Sequence, residues 1–176
     1  MDKKLKALTT SALLTAMSVI VGIFCKNFMN FGGGLFRVTF ENLPIILSGI
    51  LFGPIAGGIV GGATDLISYL LSAQIYPPNF IVTLGAVLIG VVSGVVAKFI
   101  VRKSGFVQII LAEISAHIAG SLIVKSIGLY QFYGIAVLWR IPLYAVIVTV
   151  EILLISILYK NSNFKNLLES HKGLWR

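Results

Sequence analysis

Acidic residues are scarce in this chain: six among 176 residues, against 14 lysines and arginines, and charge of either sign makes up only 11% of the whole. With 57% of residues hydrophobic, a soluble globule would have too little polar surface, so that class is excluded. The single cysteine, Cys25, excludes an internal disulfide and reads as a small packing residue. No cysteine and histidine spacing points to a metal, and no cofactor is expected. A Walker A string is missing, so energy from ATP would have to enter through another chain. No nucleophile and base fall in a catalytic motif, and no polar linker divides the chain, so residues 1–176 read as one domain. The net charge of +8 does not come as basic stripes interleaved with aromatics, which argues against a nucleic-acid partner.

What is present is a series of apolar runs, at 8–25, 43–52, 55–73, 80–97, 106–124 and 133–159. About 20 residues of helix cross a bilayer core. The runs predict an all-α membrane protein, a compact bundle of six transmembrane helices. The short second run is either tilted, partly re-entrant, or fused with the third in a hairpin turning at Gly53-Pro54. Basic residues before the first run resemble the start of a signal peptide, but no small-residue cleavage site follows, and this run is expected to stay as the first helix.

Most cations fall in three clusters: Lys3, Lys4 and Lys6; Lys98, Arg102 and Lys103; and Lys160, Lys165, Lys172 and Arg176. Cytoplasmic loops collect positive charge, so these clusters predict cytoplasmic N and C termini. Lys26, Arg37, Lys125 and Arg140 are then stranded at the outer end, where an anionic solute captured from outside would explain them. Arg140 suits a carboxylate because its planar fork donates two parallel hydrogen bonds, the alternative being an internal ion pair. Pro142 is expected to kink the last helix near it. Lys26 and Lys125 are expected to snorkel to the surface, although Lys125 is also a candidate ligand contact.

Glu41, Asp65, Glu113 and Glu151 lie within or beside apolar runs, where each needs a partner, water or a function. Arg37 and Glu41 are spaced for a local ion pair, which competes with a role for Arg37 in binding. Glu113 and His117 share a helix face, and a hydrogen bond between them is weighed against a proton relay. Asp65 either satisfies neighbouring donors or, with Tyr69 one turn above, holds a polar edge of a ligand. Phe40, Tyr69, Tyr76, Phe80 and Trp139 belong to an aromatic-rich outer end that suits either the headgroup region or a flat conjugated anion. The run Asn30–Phe36, with three successive glycines, is a lid candidate, and Tyr76-Pro77-Pro78-Asn79 forms a second outer loop. Glycine repeats at Gly53, Gly57 and Gly61, and small residues at Ala86, Gly90 and Gly94, predict close helix contacts. Ala12 and Ala16 form a further small pair that either packs inside or faces a partner.

The strings RVTFENLP (37–44), LFGPIAGGIVGGATDLISYLL (51–71) and LWRIPL (138–143) resemble the substrate-binding S components of energy-coupling-factor vitamin transporters, most nearly the folate-specific group. The second string marks the superfamily, and the Trp-Arg-Ile-Pro string carries the folate assignment. Asn79 stands where a Pro-Gly-Phe loop would have glycine. The resemblance implies a subunit of the bacterial plasma membrane that binds one vitamin near its outer face. It also implies docking on a transmembrane scaffold subunit with two cytoplasmic ATPase subunits, through Ala12 and Ala16. On this view the site draws on Arg37, Phe40, Asp65, Tyr69, Tyr76, Phe80, Lys125, Trp139 and Arg140. Folate, planar at one end and dianionic at the other, fits the outer cations better than riboflavin, which lacks carboxylates, or pantothenate, which lacks a large ring system. A solitary proton-coupled carrier using Glu113, His117 and Glu151, and an intramembrane enzyme using Asp65, Glu113 or His117, are the readings from other classes.

Overall fold

The computed structural model of the chain describes residues 3–31, 36–72, 78–101, 105–162, 164 and 166. The chain is almost entirely helical. Helix α1 spans Lys3–Phe28, α2 Asn42–Phe52, α3 Pro54–Leu71 and α4 Phe80–Val95, the last continuing as a π-helical turn to Ile100. Helix α5 covers Phe106–Ala116 and runs on through a π-helical segment, His117–Val124, into α6, Lys125–Tyr133. A 3-10 segment, Gly134–Trp139, leads to α7, Arg140–Lys160. One departure from the all-helical expectation is a minimal antiparallel ladder, β1 Asn30–Phe31 with β2 Phe36–Arg37, in which Asn30 faces Arg37. The glycines of the lid candidate between these strands lie outside the described residues, as does Tyr76.

Four helical stretches among the described residues are long and apolar enough to cross a membrane: Leu5–Phe28, Pro54–Leu71, Phe80–Ile100 and Phe106–Lys160. The last is 55 residues long and is not one rod. Gly134 takes φ 56°, a conformation costly for other residues, and the chain reverses there. Ring contacts between His117 and Tyr144 and between Phe106 and Tyr159 hold its two arms antiparallel. Pro142 sits in the first turn of α7, and the positive-φ turn of this stretch lies upstream at Gly134.

The 11-residue α2 forms a tight hairpin with α3, turning at Gly53 with φ 91° and with Pro54 as the first residue of the next helix. Of the alternatives for the short second run, the hairpin is the one observed. The same glycine stripe lets α4 approach: a Cβ added to Gly90 would lie 2.0 Å from the carbonyl oxygen of Gly57, and one added to Gly61 would lie 2.2 Å from that of Ala86. Backbones that close leave no room for a side chain, which is how helices associate where lipid offers no hydrophobic drive. Asn79 caps α4, accepting from the Ile81 amide at 3.0 Å, and donates to the Gly128 carbonyl of α6 at 2.7 Å. The residue that departs from the family string thus ties two helices together.

The bundle is apolar outside and polar within. Leu8, Ile55, Leu70 and Ile157 are exposed, while Ser18, Asn42, Ser93, Glu113, His117, Ser121 and Glu151 are buried. That inversion suits a hydrocarbon surround. Ala7, Leu14, Leu51, Phe52, Ile109 and Ile155 form one core cluster, with Tyr159 and Phe164 packed against it. The start of α1 and the end of α7 therefore share one end of the bundle, and Arg37, Asp65, Lys125 and Arg140 lie toward the other. Cys25 is buried and free.

Candidate functional site

The segment after β2 dips back between the helices before α2 begins, carrying Arg37 and Glu41 inward. Ser18 of α1 donates to the Glu41 carbonyl and so fixes this descent. A Cβ on Gly22 would meet Glu41 Oε2 at 2.5 Å, so α1 leaves the carboxylate just enough room. Arg37 Nη2 donates to Glu41 Oε2 at 2.8 Å, the local pair that their spacing predicts. Lys125 Nζ lies 3.9 Å from Glu41 Oε1 and is only 6% exposed. The snorkelling expected of Lys125 is thus corrected: Glu41 gives its ammonium a partner inside, and the chain turns inward. Glu41 also feels Lys26 and Arg140 electrostatically, and Lys26 in turn feels Asp65.

Arg140, the first residue of α7, reaches across to the π-helical segment. Its Nη2 donates to the Ser121 carbonyl at 3.3 Å and to the Tyr144 hydroxyl at 3.2 Å, and its guanidinium lies 5.1 Å from the Tyr144 ring centroid. These partners are neutral. The internal ion pair weighed for Arg140 is absent among the described residues, and its Nε is buried without a hydrogen-bond partner, as is that of Arg37. Asp65 accepts from Thr83 Oγ1 at 2.7 Å, the neighbouring donor anticipated as one of its two roles. Four cations therefore share this end with two carboxylates, Glu41 and Asp65, leaving two positive charges in excess. The amide of Asn42 and the hydroxyls of Thr64 and Ser68 add buried polar atoms without hydrogen-bond partners among the described residues. Such an arrangement can take an anion at the guanidinium groups and a hydrogen-bonding edge beside it.

The other candidates divide. Phe40 and Tyr69 are half-buried on the same end of the bundle. Phe80 at 89% and Trp139 at 62% are exposed, standing on the outer surface rather than between the helices. Ala12 and Ala16 are exposed on α1, so of their two readings the outward-facing one is observed. Sequence reasoning missed Ser18, Asn42, Thr83, Ser121 and Tyr144 as members of this neighbourhood. Only Tyr144 left a signal, one turn beyond Arg140 in an otherwise apolar string.

A second polar cluster lies deeper. His117 Nε2 is 2.5 Å from Glu151 Oε2 on α7 and 3.6 Å from Glu113 Oε1 on its own helix. The principal partner of His117 is therefore Glu151, 34 positions away, and the hydrogen bond expected from Glu113 is not formed. Ser121 joins the clusters: its hydroxyl meets His117 Nδ1 at 3.2 Å, and its carbonyl accepts from Arg140.

Comparison with known proteins adds a family. A family model described as the substrate-specific component of ECF transporters matches residues 6–170. An uncharacterised protein of Mycoplasma pneumoniae is 30% identical over 98 residues, 56% of this chain and 20% of that protein. The folate transporter FolT of Clostridium novyi is 30% identical over 79 residues, 43% of this chain and 46% of that protein. The matched region thus spans less than half the length of either relative. Among solved structures, one of the S component of a bacterial ECF transporter superposes with a TM-score of 0.68 and 26% identity, covering 94% of this chain and 99% of that one. FolT bound with folic acid superposes with a TM-score of 0.58 over 100% of this chain and 96% of that one, at 19% identity, which speaks to the fold alone.

Proposed function

Because the chain belongs to the substrate-specific components of ECF transporters, we propose that it binds folate or a closely related pterin vitamin between Arg37, Lys125 and Arg140, at the outer end of the bundle. The observation that carries this reading is the pair of uncompensated positive charges there, with Arg140 held by neutral groups only. Folate brings two carboxylates, which match that excess, and a flat ring whose nitrogen and oxygen edge suits the unpartnered polar atoms of Asn42 and Thr64. Tyr69 and Phe40 are placed to meet the ring, and Asp65 to accept from it. The FolT relative supports the same vitamin by likeness.

In this reading the six helical legs, α1, α2, α3, α4, α5 with α6, and α7, all take part in the crossing, with both termini cytoplasmic. Basic residues at Lys6, Lys98 and Lys160 support that orientation. The vitamin is captured from outside and delivered when a transmembrane scaffold subunit and two cytoplasmic ATPase subunits reorient the loaded chain. The exposed Ala12 and Ala16 offer the scaffold a flat surface on α1. The setting is a bacterial plasma membrane.

Purification in detergent, release of bound material by denaturation and mass measurement test the vitamin directly. Folate is expected at near-stoichiometric yield; riboflavin or pantothenate in its place would overturn the assignment and keep the family. Ala12→Trp or Ala16→Trp is expected to abolish uptake in cells while leaving ligand binding intact. Uptake into vesicles by the chain alone, without ATPases, would instead favour a proton-coupled carrier built on Glu113, His117 and Glu151.

A further inference from the structure

Between the cation-rich end and the shared end of the termini, two carboxylates and one imidazole converge inside the bundle. Glu113 and Glu151 are fully buried and His117 is 1% exposed, and the three offer donor atoms within 4.8 Å of one another. We infer that Glu113, His117 and Glu151 form a binding site for one divalent transition-metal ion of the zinc type, which clamps α5 to α7.

Both carboxylates point at the same ring nitrogen: Nε2 has Glu151 at 2.5 Å and Glu113 at 3.6 Å. A proton on Nε2 can be donated to only one of them. Glu113 accordingly has no hydrogen-bond partner on either oxygen, and Glu151 has none on Oε1. An unpartnered carboxylate buried at this depth is costly, and the cluster as a whole is short of positive charge. A doubly charged cation resolves both problems, since two carboxylates and a neutral imidazole leave the loaded site with no net charge. The other ring nitrogen lies 3.2 Å from the Ser121 hydroxyl, which can accept its N–H when Nε2 turns a lone pair to an ion.

Bond lengths of about 2.0–2.2 Å put neighbouring ligand atoms of a tetrahedral ion about 3.3–3.6 Å apart, so Glu151 would retreat from Nε2 by about 1 Å and the two carboxylates, now within 4.8 Å, would close to that spacing. A nitrogen together with carboxylate oxygens favours zinc, cobalt, manganese or iron over magnesium and calcium, which seek all-oxygen shells. His117 and Tyr144 border an open, mostly apolar groove of about 240 Å³ between the π-helical segment and α7. Spacing rules built on cysteine and histidine overlook the site because Glu151 comes from a distant part of the chain. Ser121 and Tyr144 contact both His117 and Arg140, so an ion here would fix the two helices that hold Arg140. The inference stands on the triad and does not depend on which vitamin is bound.

The test uses the full chain, free of affinity tags, in detergent, stripped with a chelator and then titrated with Co²⁺. The expected result is saturable uptake of one ion per chain, with visible absorption bands that Zn²⁺ removes by competition. Glu113→Gln and Glu151→Gln, which keep side-chain volume, are each expected to weaken uptake at least about tenfold. His171→Ala, at the chain's only other histidine, is expected to change nothing. No saturable uptake by the unaltered chain would overturn the proposal, as would uptake that survives both glutamine substitutions or is lost with His171→Ala. Should either glutamine variant misfold, the stoichiometry and Zn²⁺ competition of the unaltered chain still decide.

Discussion

The two polar regions of this bundle are charged in opposite senses and are built differently. At one end Lys26, Arg37, Lys125 and Arg140 outnumber Glu41 and Asp65, and the contacts reach across β2, the residue before α2, α3, α4 and α6. Deeper in, Glu113 and Glu151 outnumber His117, and the contacts join only α5 with α7. The first region is partly exposed: the Arg37 side chain is 27% and that of Glu41 13% accessible, whereas every member of the second is at 1% or below. Partial exposure lets an unbalanced charge persist in the free protein because water screens it, and lets a solute replace that water. Full burial gives no such relief, so imbalance there demands a resident partner, a proton or an ion. A site for a visiting anion and a clamp between helices follow from the same physics at two depths.

Substitutions should separate the two regions. The largest effect is expected at the deep cluster: Glu151→Ala removes the principal partner of His117 and should cost stability on the scale of breaking a buried ion pair, about 3–5 kcal/mol. Thermal unfolding in detergent, followed by circular dichroism, checks it. A loss below about 1 kcal/mol would mean that Glu151 is barely coupled to the imidazole. Next comes Arg140→Ala, which should weaken folate binding by about 1.5–3 kcal/mol, the scale of a charged hydrogen bond, with little change in unfolding. Titration calorimetry against folate measures it, and unchanged affinity would take Arg140 out of the site. The contrast sharpens if Glu151→Ala moves stability far more than affinity and Arg140→Ala does the reverse.

Packing between α3 and α4 offers an intermediate effect. Gly90→Ala would force a methyl group against the Gly57 carbonyl and should destabilise the bundle by about 1–3 kcal/mol, the usual penalty of overpacking. Gly62→Ala is the control, since its added Cβ would meet only a Val87 methyl group, at 3.2 Å, and no backbone. Equal stability of the two variants would mean that α3 and α4 can slide apart without penalty.

The parts of this molecule that repeat over short distances were legible in its sequence. The Gly53-Pro54 pair offered the hairpin as one reading of the short second run, the small-residue spacing on α3 and α4 foretold close helix contacts, and the i,i+4 interval foretold the Arg37 and Glu41 pair. Contacts between distant segments left no periodic trace. Glu151 lies 34 residues from His117, and nothing in an apolar run distinguishes an inward glutamate that binds a histidine from one that binds lipid-facing water. Lys125 was misplaced for a related reason: a lysine near a helix end snorkels by default, and only the three-dimensional position of Glu41 draws it inside. Phe80 and Trp139 show a choice that composition does not make, since aromatics suit the headgroup region and a stacking site equally well, and these two are exposed.

The smallest expected effect is also the most discriminating within the cation-rich end. Glu41 holds Arg37 at 2.8 Å and stands 3.9 Å from Lys125, so in the free protein it occupies groups that a carboxylate ligand would want. Glu41→Gln keeps the shape of the side chain and removes its charge, leaving both cations more available. Folate affinity should rise by up to about 1 kcal/mol, the range of a partly exposed ion pair, and the gain should shrink as salt is added. Affinity falling instead would assign Glu41 to orienting Arg37 for the ligand rather than competing with it. Because Arg140 has no carboxylate within ion-pair distance among the described residues and Glu41 acts on it only at longer range, its own contribution should change little in the Glu41→Gln background, and the two changes should add to within about 0.5 kcal/mol. Strong non-additivity would mean that Glu41 and Arg140 grip the same carboxylate end of the ligand as one unit.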